Sequence, residues 1–131
     1  MVTTKTDSGP EEMPPLTPAV FHVLLALTEG ERHGYAIMQD VAENTEGRMK
    51  MGPGTLYGTI KRLLEARMIE ESDQRPDPEM DDERRRYYRL TGVGRRAVTA
   101  EAQRYAELAA VARRKRLIGR PRAAAQAGGV S

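Results

Sequence analysis

The sequence predicts a mainly α-helical protein with a small β-ribbon and a long last helix, and three observations support this. Apolar residues recur every three or four positions in four segments, which is the spacing of an amphipathic helix. Two short segments lie between the third and fourth of these helices: MIEES, which is extended in character, and RYYRLT, which is rich in β-forming residues. The 131 residues include no cysteine, so the fold depends on neither disulfides nor thiolate-bound metal.

The first three helices are expected to be short and joined by short turns. The first begins with Thr17 as its N-cap and Pro18 at the first helical position, and it ends at Gly30. Its buried stripe consists of Val20, Val23, Leu24 and Leu27. The second helix is predicted from about Gly34 to Asn44, and the third from the GPG segment to about Ala66. Three such helices pack on one another to bury their apolar faces.

The third helix carries polar groups that its core face does not account for. Its predicted core face consists of Leu56, Ile60, Leu63 and Leu64, which fall within one arc about 100° wide. The opposite side consists of Thr55, Gly58, Lys61, Arg62 and Glu65, with Tyr57 and Thr59 at the margins. Hydroxyls, cations and a glycine that lets the backbone approach suit contact with phosphates and base edges. A solvated polar face is the ordinary alternative.

Beyond Ile69 the pattern changes to two strands and a final helix. The strands form a predicted two-stranded ribbon whose connection, residues 73–83, contains six acidic side chains. Thr91 is the predicted N-cap of the last helix, which runs to about Leu117. At about 1.5 Å per residue this helix would reach roughly 37 Å, more than the core of a small domain covers. Part of the helix is therefore expected to pack against a partner.

The net charge of +2 conceals a strong asymmetry along the chain. Residues 1–83 carry 8 basic and 17 acidic side chains, whereas residues 84–131 carry 13 basic and 2 acidic ones. This distribution favours either a half that binds a polyanion or a self-complementary dimer, and composition does not separate the two. The N-terminus lacks the apolar core of a signal peptide, and the longest apolar stretch, VFHVLLAL, is too short for a membrane span. A cytoplasmic protein without membrane contact is expected.

Three helices followed by a ribbon are the element order of a winged helix-turn-helix. In this fold the third helix enters the major groove of DNA and the ribbon lies over the neighbouring backbone. Arg84, Arg85 and Arg86 at the base of the ribbon form a second cationic element. The two cationic elements together favour a DNA-binding domain. The acidic connection is expected either to point away from DNA or to be mobile, because it would meet phosphates with like charge, and the arginines at the base of the ribbon are expected to make any contact.

The same segments carry motifs that resemble those of the PadR family of bacterial transcriptional regulators. GTLY at residues 54–57 is followed at the family's spacing by a hydrophobic residue and by Arg62 and Leu63, and RRRYYRLTGVGRRA occupies residues 84–97. Upstream, LTPAVFHVLLALTEGERHGYAI is similar to the family's first helix and its HGY turn. The resemblance covers residues 16 to about 117.

Four positions depart from the family pattern. Gly58 replaces a frequent proline and Gly92 a frequent acidic residue, and neither change is expected to disturb the fold. Leu64 stands in place of the usual glutamate. Arg67 occupies the position of a helix-ending glycine, which predicts that the third helix ends differently from those of its relatives.

The resemblance implies a dimeric repressor that binds double-stranded operator DNA and responds to a small lipophilic or aromatic effector between the subunits. It also implies a homodimer in which the last helix contacts the partner, through Val98, Tyr105, Leu108, Ala109 and Ala112. The predicted DNA-binding residues are Tyr35, Gly54, Thr55, Tyr57, Thr59, Lys61, Arg62, Arg84, Arg85 and Arg86. For Tyr57, contact of the hydroxyl with a phosphate and packing in the core are equally expected.

The expected organisation is a disordered tail over residues 1–15, a winged helix-turn-helix over residues 16–91, a dimerisation helix over residues 92–117 and a second disordered tail over residues 118–131. The sequence offers no catalytic constellation, phosphate-binding loop or metal-ligand cluster, so no enzyme activity, metal or cofactor is expected. The remaining alternative is a winged-helix module that binds another protein and not DNA, which the acidic connection keeps open.

Overall fold

The computed structural model describes residues 15–72 and 86–119. Their elements, in chain order, are α1 (Pro18–Ala26), β1 (Arg32–His33), α2 (Gly34–Asn44), α3 (Pro53–Glu65), β2 (Ile69–Glu71), β3 (Tyr87–Leu90) and α4 (Gly92–Arg114). Most of the two terminal tails, the acidic connection of residues 73–83 and the predicted DNA contacts Arg84 and Arg85 lie outside the described residues. The predicted fold class, mainly helical with a small sheet and a long last helix, is confirmed.

Side-chain caps fix where three of the helices begin. The Thr17 hydroxyl accepts a hydrogen bond at 3.2 Å from an amide in the first turn of α1, where Pro18 fits because its missing amide proton would have no partner. His33 Nδ1 accepts an amide bond of the same length at the start of α2. Thr91 Oγ1 does so at 3.1 Å in α4, as predicted. Among the described helices only α3 has no side-chain cap, because its N-cap residue is Gly52.

One apolar core joins the first three helices, the sheet and the first part of α4. It includes Phe21, Val23, Leu24, Leu27, Ile37, Val41, Leu56, Ile60, Leu63, Ile69, Tyr88 and Val98. The predicted faces of α1 and α3 are largely confirmed, but Val20 is only half-buried and Leu64 is 37% exposed. Val98 is buried in this core, so the prediction that its side chain contacts a partner subunit is wrong. The cause is that the first part of α4 packs on the preceding helices and sheet, with which it forms what we call the winged unit, residues 15–72 and 86–101.

The predicted ribbon is present and has a third strand. β2 and β3 pair antiparallel, with Ile69 opposite Leu90. β1 pairs antiparallel with the other edge of β3, with Arg32 opposite Tyr88, which gives the strand order β1-β3-β2. β1 has two residues, and a strand of this length is too short to show the alternating pattern by which strands are detected in a sequence.

Carboxylates pair with arginines along the sheet. Arg89 Nε lies 2.8 Å from Glu70 Oε2 on the neighbouring strand, and Arg89 Nη1 lies 3.3 Å from Glu31 Oε2. The hydrogen bond to Glu70, and then that to Glu31, raise the pKa of Arg89 above its ordinary value. Arg32 Nε lies 2.8 Å from Asp40 Oδ2 and joins β1 to α2. Exposed pairs contribute little to stability, but they reduce the positive charge that the sheet presents.

Arg67 ends α3 in the conformation that a glycine usually takes. Its φ of 63° is left-handed, and its amide donates to the carbonyl of Leu64 at 3.1 Å. The next amide, of Met68, donates to the carbonyl of Leu63 at 3.0 Å, which completes a Schellman motif. The predicted difference in the helix end is therefore wrong. The Thr91 hydroxyl donates to the Arg67 carbonyl at 2.6 Å, and this bond helps to offset the roughly 1–2 kcal/mol cost of a left-handed arginine.

The chain divides into two compact units, residues 1–101 and residues 102–131, so α4 begins in the first and ends in the second. In the first unit Gly94 lies so close to β2 and the end of α3 that a Cβ on it would overlap the carbonyl oxygen of Met68.

In residues 15–72 and 86–119 we find no helix with the length and apolar character that crossing a membrane requires.

Candidate nucleic-acid interface

One side of α3 fills the core and the other is open to solvent. The exposed side includes four of the predicted contact residues: Gly54, Thr55, Lys61 and Arg62. Because no side chain caps the start of the helix, the amides of its first turn are not used by a cap. Amides in this position favour an anion such as a DNA phosphate.

Two predicted contact residues of α3 point inward. Thr59 is 0% exposed, and its hydroxyl donates to the carbonyl of Thr55 at 2.8 Å. The hydroxyl oxygen of Tyr57 is also buried, so core packing is the correct one of the two alternatives stated for this residue. The prediction that these two side chains touch DNA is wrong, because the margins of the helix face the core at both positions.

Tyr57 explains the glycine of the HGY turn. A Cβ on Gly34 would overlap the Tyr57 hydroxyl and lie 2.7 Å from the Tyr57 Cζ atom. Gly34 is the first residue of α2, and this close approach therefore fixes how α2 and α3 meet. Tyr35, the next residue, is 58% exposed, and its ring stacks 6.5 Å from that of His33. The helix-turn-helix contact thus depends on Tyr57, whereas Tyr35 remains accessible.

The two neighbouring cations of α3 differ in how they are held. The Arg62 guanidinium lies along the helix, where Nη2 donates to Thr59 Oγ1 at 3.4 Å. Its Nη1 lies 4.0 Å from where a Cβ on Gly58 would be. Lys61 is exposed and makes no ion pair with another described residue. Arg62 is therefore held along the helix by its hydrogen bond to Thr59, which we call the tether, whereas Lys61 extends into solvent.

The described part of the predicted arginine cluster is paired with a carboxylate. Arg86 Nε lies 3.2 Å from Glu71 Oε2 across the ribbon, and both side chains are about a third exposed, at 38% and 34%. Arg89 on the same strand is already shared between two carboxylates. A phosphate would have to compete with these pairs, so the base of the ribbon is less cationic than its sequence indicates. Contact between Arg86 and DNA stays a prediction.

Lys50, in the turn between α2 and α3, is an exposed cation that the motifs did not indicate. It precedes the GPG entry to α3 by a single residue, Met51, which is buried. The alternation of basic residues and methionines in RMKM was the available signal. We call the exposed set at this end of the winged unit the α3 face. The α3 face consists of Tyr35, Lys50, Gly54, Thr55, Lys61 and Arg62.

The α3 face is suited to binding and offers no catalytic group. Its side chains supply hydroxyl, ammonium and guanidinium donors, which match phosphate oxygens and the acceptor atoms of guanine. Across residues 15–72 and 86–119, His, Asp and Glu side chains form no group of three that could hold a metal ion.

Comparison with known proteins identifies the family. The model of the Transcriptional regulator PadR-like family matches residues 23–100, more than half of the chain. The chain belongs to this family. Because PadR-like proteins are transcriptional regulators, the expectation that the chain is not an enzyme is confirmed. The match includes α2, α3, the sheet and the start of α4, and hence the whole α3 face.

Relatives of this PadR-like chain include one regulator by name. The chain is 36% identical to Transcriptional regulator Rv3488 of Mycobacterium tuberculosis over 88 residues, which are 67% of this chain and 76% of the relative. It is 38% identical over 86 residues to an uncharacterized 37.1 kDa protein in transposon TN4556 of Streptomyces fradiae. That match covers 66% of this chain but only 22% of the transposon protein, so the chain spans about a fifth of that relative.

Solved structures share the fold. A Streptococcus transcriptional regulator matches with a TM-score of 0.59 and 26% identity, over 74% of this chain and 90% of the other. The complex structure of hsRosR-S1 matches with a TM-score of 0.57 and 27% identity, over 78% of this chain and 85% of the other. A PadR family transcription regulator from Clostridium difficile, at 20% identity and a TM-score of 0.59, covers 73% of this chain and 95% of its own and shows the fold alone. The winged helix-turn-helix assignment is confirmed.

Proposed function

We propose that this PadR-like protein is a dimeric, sequence-specific DNA-binding repressor that a small lipophilic or aromatic effector releases from its operator. The observation that carries the proposal is the division of α3 into two sides. Leu56, Ile60 and Leu63 hold the helix in the core, while the α3 face remains in solvent with its hydroxyl and cationic groups. A helix held in this way in a winged fold is suited to the major groove.

In the proposed complex, α3 enters the major groove with the α3 face toward the DNA. The first-turn amides and the Thr55 hydroxyl would meet a phosphate at the start of the helix, where the helix dipole favours negative charge. Lys61 and Arg62 lie about two turns further along and would reach base edges or the opposite backbone. Tyr35 and Lys50 would flank these contacts from α2 and the preceding turn.

The second unit supports the proposal of a homodimer. Its part of α4 carries Tyr105 and Leu108, which are 44% and 64% exposed, and the half-buried Ala109 and Ala112 follow at helical spacing. A stripe of exposed apolar side chains favours contact with another protein surface. A two-fold dimer would place two α3 faces about 34 Å apart or a multiple of that, to match a pseudo-palindromic operator.

Release by an effector would use the same symmetry. A small molecule bound between two subunits would change the separation of the two α3 faces, so that they no longer match both half-sites. The chain has no tryptophan, and its one phenylalanine, Phe21, is buried in the core. An effector site would therefore depend on tyrosines and aliphatic side chains.

A protein-interaction module is the second candidate, and the ion pairs of the sheet favour it. Arg86 and Arg89, which would lie nearest to a DNA backbone in the ribbon, are both paired with carboxylates. The first 83 residues carry a net charge of −9, which repels a polyanion. The α3 face carries three cations against the one carboxylate, Glu65, on the exposed side of α3, so it is the stronger argument and supports DNA.

Replacing the α3 cations is expected to weaken operator binding. Lys61→Ala and Arg62→Ala should each cost about 1–3 kcal/mol if the side chain contacts guanine, and less if it contacts only phosphate. The measurement is a mobility shift with the duplex upstream of the protein's own gene, at two salt concentrations and with a scrambled competitor. Wild-type affinity should fall by about 0.9 log units per phosphate contact for each log unit of salt.

Arg96→Ala is the matched control, because Arg96 is an exposed cation on α4 outside the α3 face. Wild-type affinity in both α3 variants, with the helical circular dichroism signal intact, would remove α3 from the interface. If the folded wild-type protein gives no complex at low salt and selects no duplex from a random library, the protein-interaction candidate replaces the DNA-binding one.

A charge on the exposed stripe of α4 is expected to prevent dimerisation. Leu108→Asp adds a carboxylate at a position that is 64% exposed in the single chain, so folding should be retained while association is lost. Sedimentation equilibrium should give a dimer for the wild type and a monomer for the variant. Gln103→Asp is the matched control, since Gln103 is exposed on the opposite side of the same helix. A variant that still sediments as a dimer would place the interface elsewhere.

A further inference from the structure

The hydroxyl of Thr59 connects the interior of α3 with its exposed side. It donates to the carbonyl of Thr55 at 2.8 Å, and it accepts from Arg62 Nη2 at 3.4 Å. Because the donated bond and complete burial fix the threonine side chain, the oxygen has one position from which to hold the guanidinium. The surface residue Arg62 is thus hydrogen-bonded to a hydroxyl that burial and a second hydrogen bond hold in place.

Gly58 leaves room for this arrangement. The Arg62 side chain runs back along the helix, and its Nη1 lies 4.0 Å from the place of a Cβ at position 58. A long side chain there would occupy the path of the guanidinium. Gly58 stands where the family pattern frequently has proline, so the space beside Arg62 is a feature of this sequence.

We propose that Thr59 is a positioning residue that holds Arg62 ready for a backbone phosphate, and that Lys61 is the cation of α3 that reads bases. This inference rests on the proposed DNA-binding function and assigns the two cations different tasks. Phosphate contacts fix the register of a protein on the duplex, whereas contacts with base edges carry the specificity.

The folded shape of Arg62 supports the phosphate assignment. Bidentate reading of guanine needs an extended arginine with two N–H groups directed at the base edge. In Arg62 one terminal nitrogen is bonded to Thr59, and the other lies over Gly58, close to the helix surface. The remaining donors suit a phosphate that approaches the helix from the side.

The tether raises the affinity for DNA because it orders the Arg62 side chain before DNA binds. An untethered arginine loses rotamer freedom on binding, which costs about as much as a three- to tenfold loss of affinity. Lys61 has no such tether among the described residues, and its extended stem can adapt to a base edge. In this assignment Arg62 fixes the register of the protein on the duplex, and Lys61 discriminates the operator from other sequences.

Thr59→Val tests the tether, because valine keeps the shape and branching of the buried side chain and removes only the hydroxyl. Operator affinity should fall about three- to tenfold. The salt slope should be unchanged, since the charge of Arg62 is retained. Arg62→Gln should lower both the affinity and the slope, the latter by about one unit. In the Arg62→Gln background, Thr59→Val should have no further effect on affinity.

The probes are the operator duplex, taken from upstream of the gene or selected from a random library, and a scrambled duplex of equal length. Arg62→Gln should weaken both duplexes equally, whereas Lys61→Gln should weaken mainly the operator. Thr28→Val is the matched control, since the Thr28 hydroxyl, in the turn after α1, also donates to a carbonyl three residues earlier, that of Leu25, at 2.8 Å.

Three results would overturn the inference while leaving DNA binding intact. They are wild-type affinity in Thr59→Val, an equal loss from Thr59→Val in the Arg62→Gln background, and operator discrimination that is lost with Arg62 and kept without Lys61. Failure of the wild-type protein to bind any duplex would instead overturn the proposed function itself. Circular dichroism and the denaturation midpoint of each variant separate a local effect from unfolding.

Discussion

Gly94→Ala is expected to destabilise the winged unit by about 3 kcal/mol or more. The added Cβ would overlap the carbonyl oxygen of Met68 and lie 2.9 Å from the Met68 carbonyl carbon, so one backbone segment would have to move. That carbonyl also accepts the amide of Thr91 at 3.0 Å, and this bond joins the end of α3 to the start of α4. Neither segment can shift without disturbing the other.

The measurement is the free energy of unfolding from urea titration, with helical circular dichroism as the signal. Gly92→Ala is the matched control, because a Cβ there would lie at an ordinary 3.6 Å from Arg96 Nη1. It should change stability by no more than about 0.5 kcal/mol. Equal stability of the Gly94 variant and the control would contradict the close packing of α4 on the end of α3.

Gly34→Ala is expected to cost about 1–3 kcal/mol of stability and to weaken operator binding as well. Alanine is the better helix former by about 1 kcal/mol, so a loss of stability would come from the overlap with Tyr57 alone. Relief of the overlap requires the Tyr57 ring to move, and Tyr57 lies in α3 between Gly54 and Lys61. A shift of this ring changes how the α3 face is presented to DNA.

A double-mutant cycle with Tyr57→Phe tests this contact. Removing the hydroxyl takes away the closest atom, although the ring carbon Cζ, at 2.7 Å, remains tight. Gly34→Ala should therefore cost less stability, and less DNA affinity, in the Tyr57→Phe background than in the wild type. Additive losses in both measurements would show that the two residues do not interact. Gly54→Ala has open space around it and serves as the control for stability alone, because Gly54 belongs to the α3 face.

The helices were predictable because each carries local signals that do not depend on the rest of the fold. Thr17 and Pro18 start α1, and Thr91 starts α4, through hydrogen bonds that span three residues. The apolar spacing of α3 correctly selected Leu56, Ile60 and Leu63 as core. The family motifs then indicated which exposed side of which helix to examine, and five of the six α3 face residues, all but Lys50, were identified in this way.

The remaining features depend on contacts between residues far apart in the chain. Thr59 and Tyr57 lie at the margins of the α3 helical wheel, and the packing of the folded chain, which for Tyr57 includes Gly34 of α2, decides that they face inward. Arg86 was assigned to DNA from a run of three arginines, but its carboxylate partner, Glu71, belongs to the other strand of the ribbon. Val98 was assigned to a dimer because the length of α4 does not reveal how much of it the core uses.

Because α4 is continuous and its first part belongs to the winged unit, that unit cannot be isolated by cutting the chain where α4 begins. Gly94, Ala97, Val98, Ala100 and Glu101 are buried in the first unit although they follow the last strand. A fragment cut after Thr91 would lose these residues, and Val98 is part of the same apolar core as Ile69 and Tyr88. Studies of the winged unit alone therefore need a polypeptide that keeps α4 at least through Glu101, and its solubility will report whether the second unit is needed for folding or only for association.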